Sequence, residues 1–320
     1  MYLGTQFAAR TDADYETFKQ LGVNNINGFP DVQHQNWTPK NLIQYREKVE
    51  SFGLKLDMVQ LPLSSADIDT RVKNGEFYNI LTGTSPERDF EIERICEIIS
   101  MCSEAGIPAV KYNLNIIGIP RTKSELGRGG AKLSTFRWDE ADKNAPDTYA
   151  GKVSEDVFWE RIDYFLEKVV PVAEEKKVRL ACHPHDPYTP PGYKGVTRVL
   201  GTVEGLKKFV SIRENEYHGL NFCQGTITEM MDNPGEEIFD VIRYFGNKNK
   251  IFNVHFRNIK GNKLSFTEVF PDEGSINMYE AIKAYKEVNY KYMLMPDPVS
   301  YTHLRAHETG RNLVCRLLLE

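Results

Sequence analysis

Eight short apolar runs, with an amphipathic stretch after each of the first seven, constrain this chain more than any other feature. The runs are YLGTQF (2–7), NNINGF (24–29), KLDMVQL (55–61), AVKYNL (109–114), VRLACHP (178–184), GLNFCQG (219–225), IFNVHFRN (251–258) and YMLMPDP (292–298). Their length and their β-branched and aromatic residues suit strands. Between them, DYETFKQL, NLIQYREKVESF, DFEIERICEIISMCSEA, VFWERIDYFLEKVVPVAEE, VEGLKKFVSI, EEIFDVIRYF and MYEAIKAYKEV carry apolar residues at helical spacing, with charges on the opposite face. Near-continuous apolar strands joined by helices predict a parallel sheet covered by those helices. Eight such units predict an α/β fold of the (β/α)8 TIM-barrel type. A doubly wound open sheet competes, but no Gly-rich phosphate loop follows the first run, where such folds place one.

The bulk properties narrow the partners. The 320 residues are 41% hydrophobic and 27% charged, with a net charge of −5 and a pI near 5.9. No basic tract is present, which argues against nucleic acid and anionic membranes and leaves a small molecule as the expected partner. No run of about 18 apolar residues occurs, and the start lacks a secretory pattern, so a cytoplasmic protein is expected. A homo-oligomer is compatible with this composition but not required by it. Five cysteines, Cys96, Cys102, Cys182, Cys223 and Cys315, are an odd set without CxxC spacing, so any cysteine chemistry is individual. No linker divides the chain, and residues 1–298 read as one catalytic domain. The irregular stretch 118–153 follows the fourth run, is too long for a routine connection, and is read as a lid at the catalytic end.

In such a barrel, side chains at the carboxyl ends of the strands converge on one mouth. There the fifth run brings His183, His185 and Asp186, the sixth Cys223, the seventh His255 and Arg257, and the eighth Asp297. A lone cysteine near a strand end is usually a core residue, and a lone His or Asp usually a hydrogen-bonding group. Four donors at the same end of four consecutive strands shift that balance toward a metal site formed by His183, Cys223, His255 and Asp297. Mixed nitrogen, sulfur and oxygen donors suit Mn²⁺, Fe²⁺, Co²⁺ or Zn²⁺ and are wrong for Mg²⁺ or Ca²⁺. Arg257, two residues past His255 and so on its face, is expected to meet an anionic substrate group such as a carboxylate. His185 is expected to orient ligands or contact substrate, with Asp186 beside it. Asn113, with Tyr112, closes the fourth run and is a candidate for hydroxyl recognition.

Six stretches, ERDFEIERICEIISMCSEAGIPAVKYNLN, LACHPHDP, NFCQGTITEM, VHFRN, FTEVFPDEGSINM and MLMPD, resemble the mannonate dehydratases, a metal-dependent family of xylose-isomerase-like barrels. The resemblance implies a hydro-lyase that dehydrates D-mannonate to 2-keto-3-deoxy-D-gluconate in hexuronate catabolism, with Mn²⁺ or Fe²⁺ bound. It also implies that His183, Cys223, His255 and Asp297 are the metal ligands. The region after the fourth run departs from the family pattern. Two other readings stand beside it: a metal-dependent sugar isomerase or epimerase on the same barrel, which Cys223 disfavours, and a non-catalytic sugar-acid-binding barrel.

The resemblance stops at Asp297. Beyond it, His303 and His307 stand four apart with Glu308 beside them, a spacing that puts two imidazoles on one helical face. Glu308 follows the second His, unlike the HExxH arrangement. VSYTHLRAHET reads instead as one frame of a transposon-end sequencing oligonucleotide, and LVCRLLL as the flow-cell adapter that follows it. Residues 299–320 are therefore expected to be an adapter-derived tail, and the barrel to lack a genuine eighth helix. In the family, an acid/base pair includes a His directly after the strand-eight Asp and a Tyr farther along. Pro298 holds the first position here and the second has no match, so the catalytic residues are unassigned and negligible turnover is expected.

Overall fold

The computed structural model describes residues 1–297. In chain order its main elements are β1 (Tyr2–Thr5), α1 (Asp12–Gln20), β2 (Asn25–Gly28), α2 (Pro39–Ser51), β3 (Lys55–Gln60), α3 (Glu87–Glu104), β4 (Ala109–Asn113), α4 (Glu155–Lys176), β5 (Arg179–His183), α5 (Val203–Ser211), β6 (His218–Cys223), α6 (Pro234–Asn247), β7 (Ile251–His255), α7 (Met278–Glu287) and β8 (Met293–Met295). All eight strands pair in parallel with their neighbours in sequence. The sheet closes when Tyr2 and Leu3 of β1 pair with Met293 and Leu294 of β8. The expected (β/α)8 barrel is the observed fold, and the open doubly wound sheet is excluded by that closure. The expectations for the eighth helix and the tail, including His303 and His307, fall on residues 298–320 and lie outside the described residues.

Local sequence explains the helices. Thr11 and Asp14 form a reciprocal capping box at the start of α1, Thr38 and Asn41 do the same for α2, and Ser154, Thr202 and Asn277 cap α4, α5 and α7. Each cap satisfies an otherwise orphaned N–H and is worth about 1 kcal/mol. On α4, Phe158, Ile162, Phe165, Leu166 and Val169 recur at helical spacing and are buried against the sheet. Strand alternation sorts the other half of the core. On β4, Val110 and Tyr112 face the helical layer, Tyr112 lying against Phe165 with ring centroids 5.7 Å apart. Ala109 instead joins Met58, Ala181 and Phe252 in a separate apolar cluster inside the barrel.

Two regions at the carboxyl end go beyond the alternating pattern. The run expected over 251–258 divides: β7 ends at His255, and Asn258–Asn262 begins an antiparallel hairpin with Ser265–Val269. Thr135–Arg137, from the stretch read as a lid, adds to the hairpin's free edge. Ala131, Leu133 and Phe136 of that stretch are buried. The segment is thus tied by sheet hydrogen bonds to the loop that follows β7.

Candidate metal centre

The ends of β5, β6, β7 and β8 are in register. Asn113 of β4 pairs with His183, and His255 pairs with both Cys223 and Met295. Donor atoms of His183, Cys223 and His255 consequently lie within 4.8 Å of one another. Asp297 completes the set: its Oδ2 is 3.8 Å from Cys223 Sγ and 3.8 Å from His255 Nδ1. The four residues proposed from the strand ends are brought to one point.

The surroundings prepare these atoms for a cation. His183 Nδ1 donates to the Pro184 carbonyl at 2.7 Å, which leaves Nε2 as the ring's lone pair. Burial lowers the His183 pKa to about 4, so the imidazole is neutral near pH 7. His255 is likewise driven far down by burial, then by Lys111 and His183. Its Nε2 is 3.2 Å from the Asn221 amide, which is itself bonded to Asn253. His255 Nδ1 is buried and has no hydrogen-bond partner among the described residues. Such an atom calls for a partner, and a metal ion at the cluster would supply one. Burial pushes the Cys223 thiol up, against the pull of Arg257, while Thr226 Oγ1 donates to its sulfur at 3.1 Å. Two neutral imidazoles, a carboxylate and a thiol that would give up its proton to the metal fit a divalent transition ion.

A second group lies beside the first. Carboxylate oxygens of Asp186, Glu229 and Glu268 fall within 4.8 Å of one another. Two arginines already neutralise them. Arg257 Nη2 reaches Asp186 at 3.0 Å and Glu229 at 2.8 Å, while Nη1 reaches Glu268 at 3.3 Å and Asp297 at 3.2 Å. Arg121, from the 118–153 stretch, holds Asp186 and Glu268 at 2.6 Å each. Burial works against the Asp186 carboxylate, yet Arg121 and Arg257 hold it well below the usual carboxylate range. Glu229 is raised well above its ordinary value by burial and by Asp186. Gly225, in the short helix Gln224–Thr228 that follows β6, leaves the room that Arg257 occupies, since a Cβ there would collide with its side chain.

The remaining expected residues divide. Asn113 stays at the mouth beside His183 and is buried. Arg257 does share the cluster with His255, but the carboxylates it meets belong to the chain itself. His185 is corrected as a substrate contact: Nε2 bonds the Leu114 carbonyl at 2.9 Å, Nδ1 accepts from the Leu200 N–H at 3.2 Å, and the ring stacks on Phe158. Both nitrogens are spent holding loops together. Tyr112 turns outward to α4. Arg198, not singled out by sequence, ties the loops after β4 and β5 through the Asp186, Pro187 and Gly118 carbonyls and Asn115 Oδ1, at 2.7–2.8 Å. Lys111 and Gln6 were also missed. The available signal was a charged residue inside AVKYNL, a run expected to be apolar on both faces.

The closed parallel barrel is also the fold of a xylose isomerase domain protein from Planctomyces limnophilus, with a TM-score of 0.61 and 13% identity, covering 99% of this chain and 95% of that one. A D-psicose 3-epimerase from Clostridium cellulolyticum H10 shares that fold, with a TM-score of 0.64 and 13% identity over all of both chains. The likeness to the crystal structure of mannonate dehydratase from Streptococcus suis serotype 2 is greater: TM-score 0.82 and 22% identity, covering 99% of this chain and 93% of that one. In sequence, the mannonate dehydratase of Thermotoga petrophila is 29% identical across 88% of this chain and 84% of its own length. The D-mannonate dehydratase (UxuA) family pattern matches residues 133–312, running past Asp297 into the stretch read as adapter-derived. The chain belongs to the mannonate dehydratase family.

Proposed function

We propose that the chain is a metal-dependent hydro-lyase acting in the cytoplasm on D-mannonate, with Mn²⁺ or Fe²⁺ held by His183, Cys223, His255 and Asp297. The convergence of these four donors from four neighbouring strands carries the reading. The reaction removes the proton at C2, expels the C3 hydroxyl as water after its protonation, and leaves an enol that becomes the C2 ketone of 2-keto-3-deoxy-D-gluconate. A bound divalent ion supplies Lewis acidity at substrate oxygens, which lowers the cost of taking a proton next to a carboxylate. The chain's part is positional. The Pro184 carbonyl fixes the His183 ring, Asn221 braces His255, and Arg257 aims Asp297. Arg121 ties the 118–153 segment to Asp186 and Glu268, contacts that support reading it as a lid that would shield the reacting atoms from water.

The test is incubation of the metal-loaded protein with D-mannonate, followed by analysis of the product. Only trace formation of 2-keto-3-deoxy-D-gluconate, abolished by chelation, is the expected result. A ketose formed without any keto-deoxy acid would make the protein an isomerase or epimerase, and metal-independent stabilisation by mannonate without turnover would make it a binding barrel. Rates normal for the family would contradict the low turnover expected from residues 298–320.

A further inference from the structure

Lys111 is a buried cation at this mouth with no carboxylate in salt-bridge contact among the described residues and with a single neutral hydrogen-bond partner. It follows Ala109 on the inner face of β4, one layer above the apolar cluster that Ala109 shares with Met58, Ala181 and Phe252. Its side chain is buried, and Nζ donates to Gln6 Oε1 at 2.9 Å. The same Gln6 amide turns its nitrogen to Asp297 Oδ1 at 3.1 Å, so the ammonium stands two hydrogen bonds from a proposed metal ligand. An ammonium has three protons to donate, and one bond to a neutral amide leaves two for something else. The neighbouring cations differ. Arg121 is held by two carboxylates and Arg257 by four, while Arg198 is filled by carbonyl oxygens. Burial lowers the Lys111 pKa to about 8, offset in part by Asp297 and Cys223, so the group is mainly charged at neutral pH. A buried charge with so little compensation costs stability and is kept where an anion arrives to complete it.

We propose that Lys111, and not Arg257, receives the carboxylate of the substrate. The inference rests on the sugar-acid reading of the site. It assigns selectivity for an acid over a neutral polyol of the same skeleton to one ammonium, oriented by Gln6 beside the metal ligands. As the C2 proton leaves, negative charge spreads onto the carboxylate oxygens, where a pre-oriented ammonium stabilises it most.

Isothermal titration of the Mn²⁺-loaded protein with D-mannonate and with D-mannitol tests the assignment, using wild type, Lys111→Met, Lys111→Gln and Lys111→Arg. Wild type is expected to prefer mannonate. Met and Gln at 111 should weaken mannonate binding about ten- to a hundredfold while metal content and the weak binding of mannitol stay unchanged. Arg at 111 should keep part of the preference. Wild-type affinity for mannonate in both neutral variants would overturn the role of Lys111 and leave the sugar-acid reading standing. Failure of wild type to prefer mannonate over mannitol would overturn both.

Discussion

Cys223 and Lys111 show what single residues disclose. Cys223, His183, His255 and Asp297 were legible because each closes an apolar run, and strand ends in a closed barrel must meet. Lys111 was not, because a lysine inside a run reads as a surface position until the strand is known to be covered on both faces. Its burial has a sign that can be measured. The native-state pKa, about 8, lies below the ordinary lysine value of 10.5, so the folded protein binds fewer protons than the unfolded chain between those limits. Stability contributed by this group therefore rises from pH 8 to 10.5, and below pH 8 the buried charge costs on the order of 3 kcal/mol. Lys111→Met should accordingly be more stable than wild type at pH 7 in urea unfolding, with the gap closing toward pH 10.5. A gap independent of pH would mean that the ammonium is solvated in the native state.

At the scale of elements, the eight strands and seven helices were legible from periodicity alone, while the hairpin after β7 was not. The IFNVHFRN run looks continuous, yet the Phe256 N–H bonds the Met295 carbonyl, and both Asn258 side-chain nitrogen bonds, to the Pro271 and Ile276 carbonyls, lead into the hairpin. Long-range hydrogen bonds of that kind leave no periodic trace. The same hairpin receives Thr135–Arg137, and the join is electrostatic as well as backbone: Arg121 bridges Asp186 after β5 to Glu268 on the hairpin. Arg121→Met should lower stability by about 3 kcal/mol, because it strands buried carboxylates. Adding Glu268→Gln should recover part of that loss in thermal unfolding. A single variant as stable as wild type would show that the segment is held by its sheet hydrogen bonds alone.

For the whole molecule, an acidic chain of net charge −5 encloses a mouth at which cations and carboxylates are nearly all paired with one another. Composition could exclude polyanionic partners but could not reveal an anion-accepting site inside the barrel, since bulk charge says nothing of where one ammonium points. Barrel closure is what turns scattered strand ends into a site, and none of the described helices is long and apolar enough to cross a membrane. His183, Cys223, His255 and Asp297 are proposed to hold one divalent transition ion between them. Titration with Co²⁺, followed by near-ultraviolet absorption, tests it most directly, because a thiolate bound to Co²⁺ gives a charge-transfer band that imidazole and carboxylate do not. Saturation at one equivalent, with a band that is lost in Cys223→Ser and retained in His218→Gln, is the predicted result; tight Co²⁺ binding with no such band in wild type would contradict it.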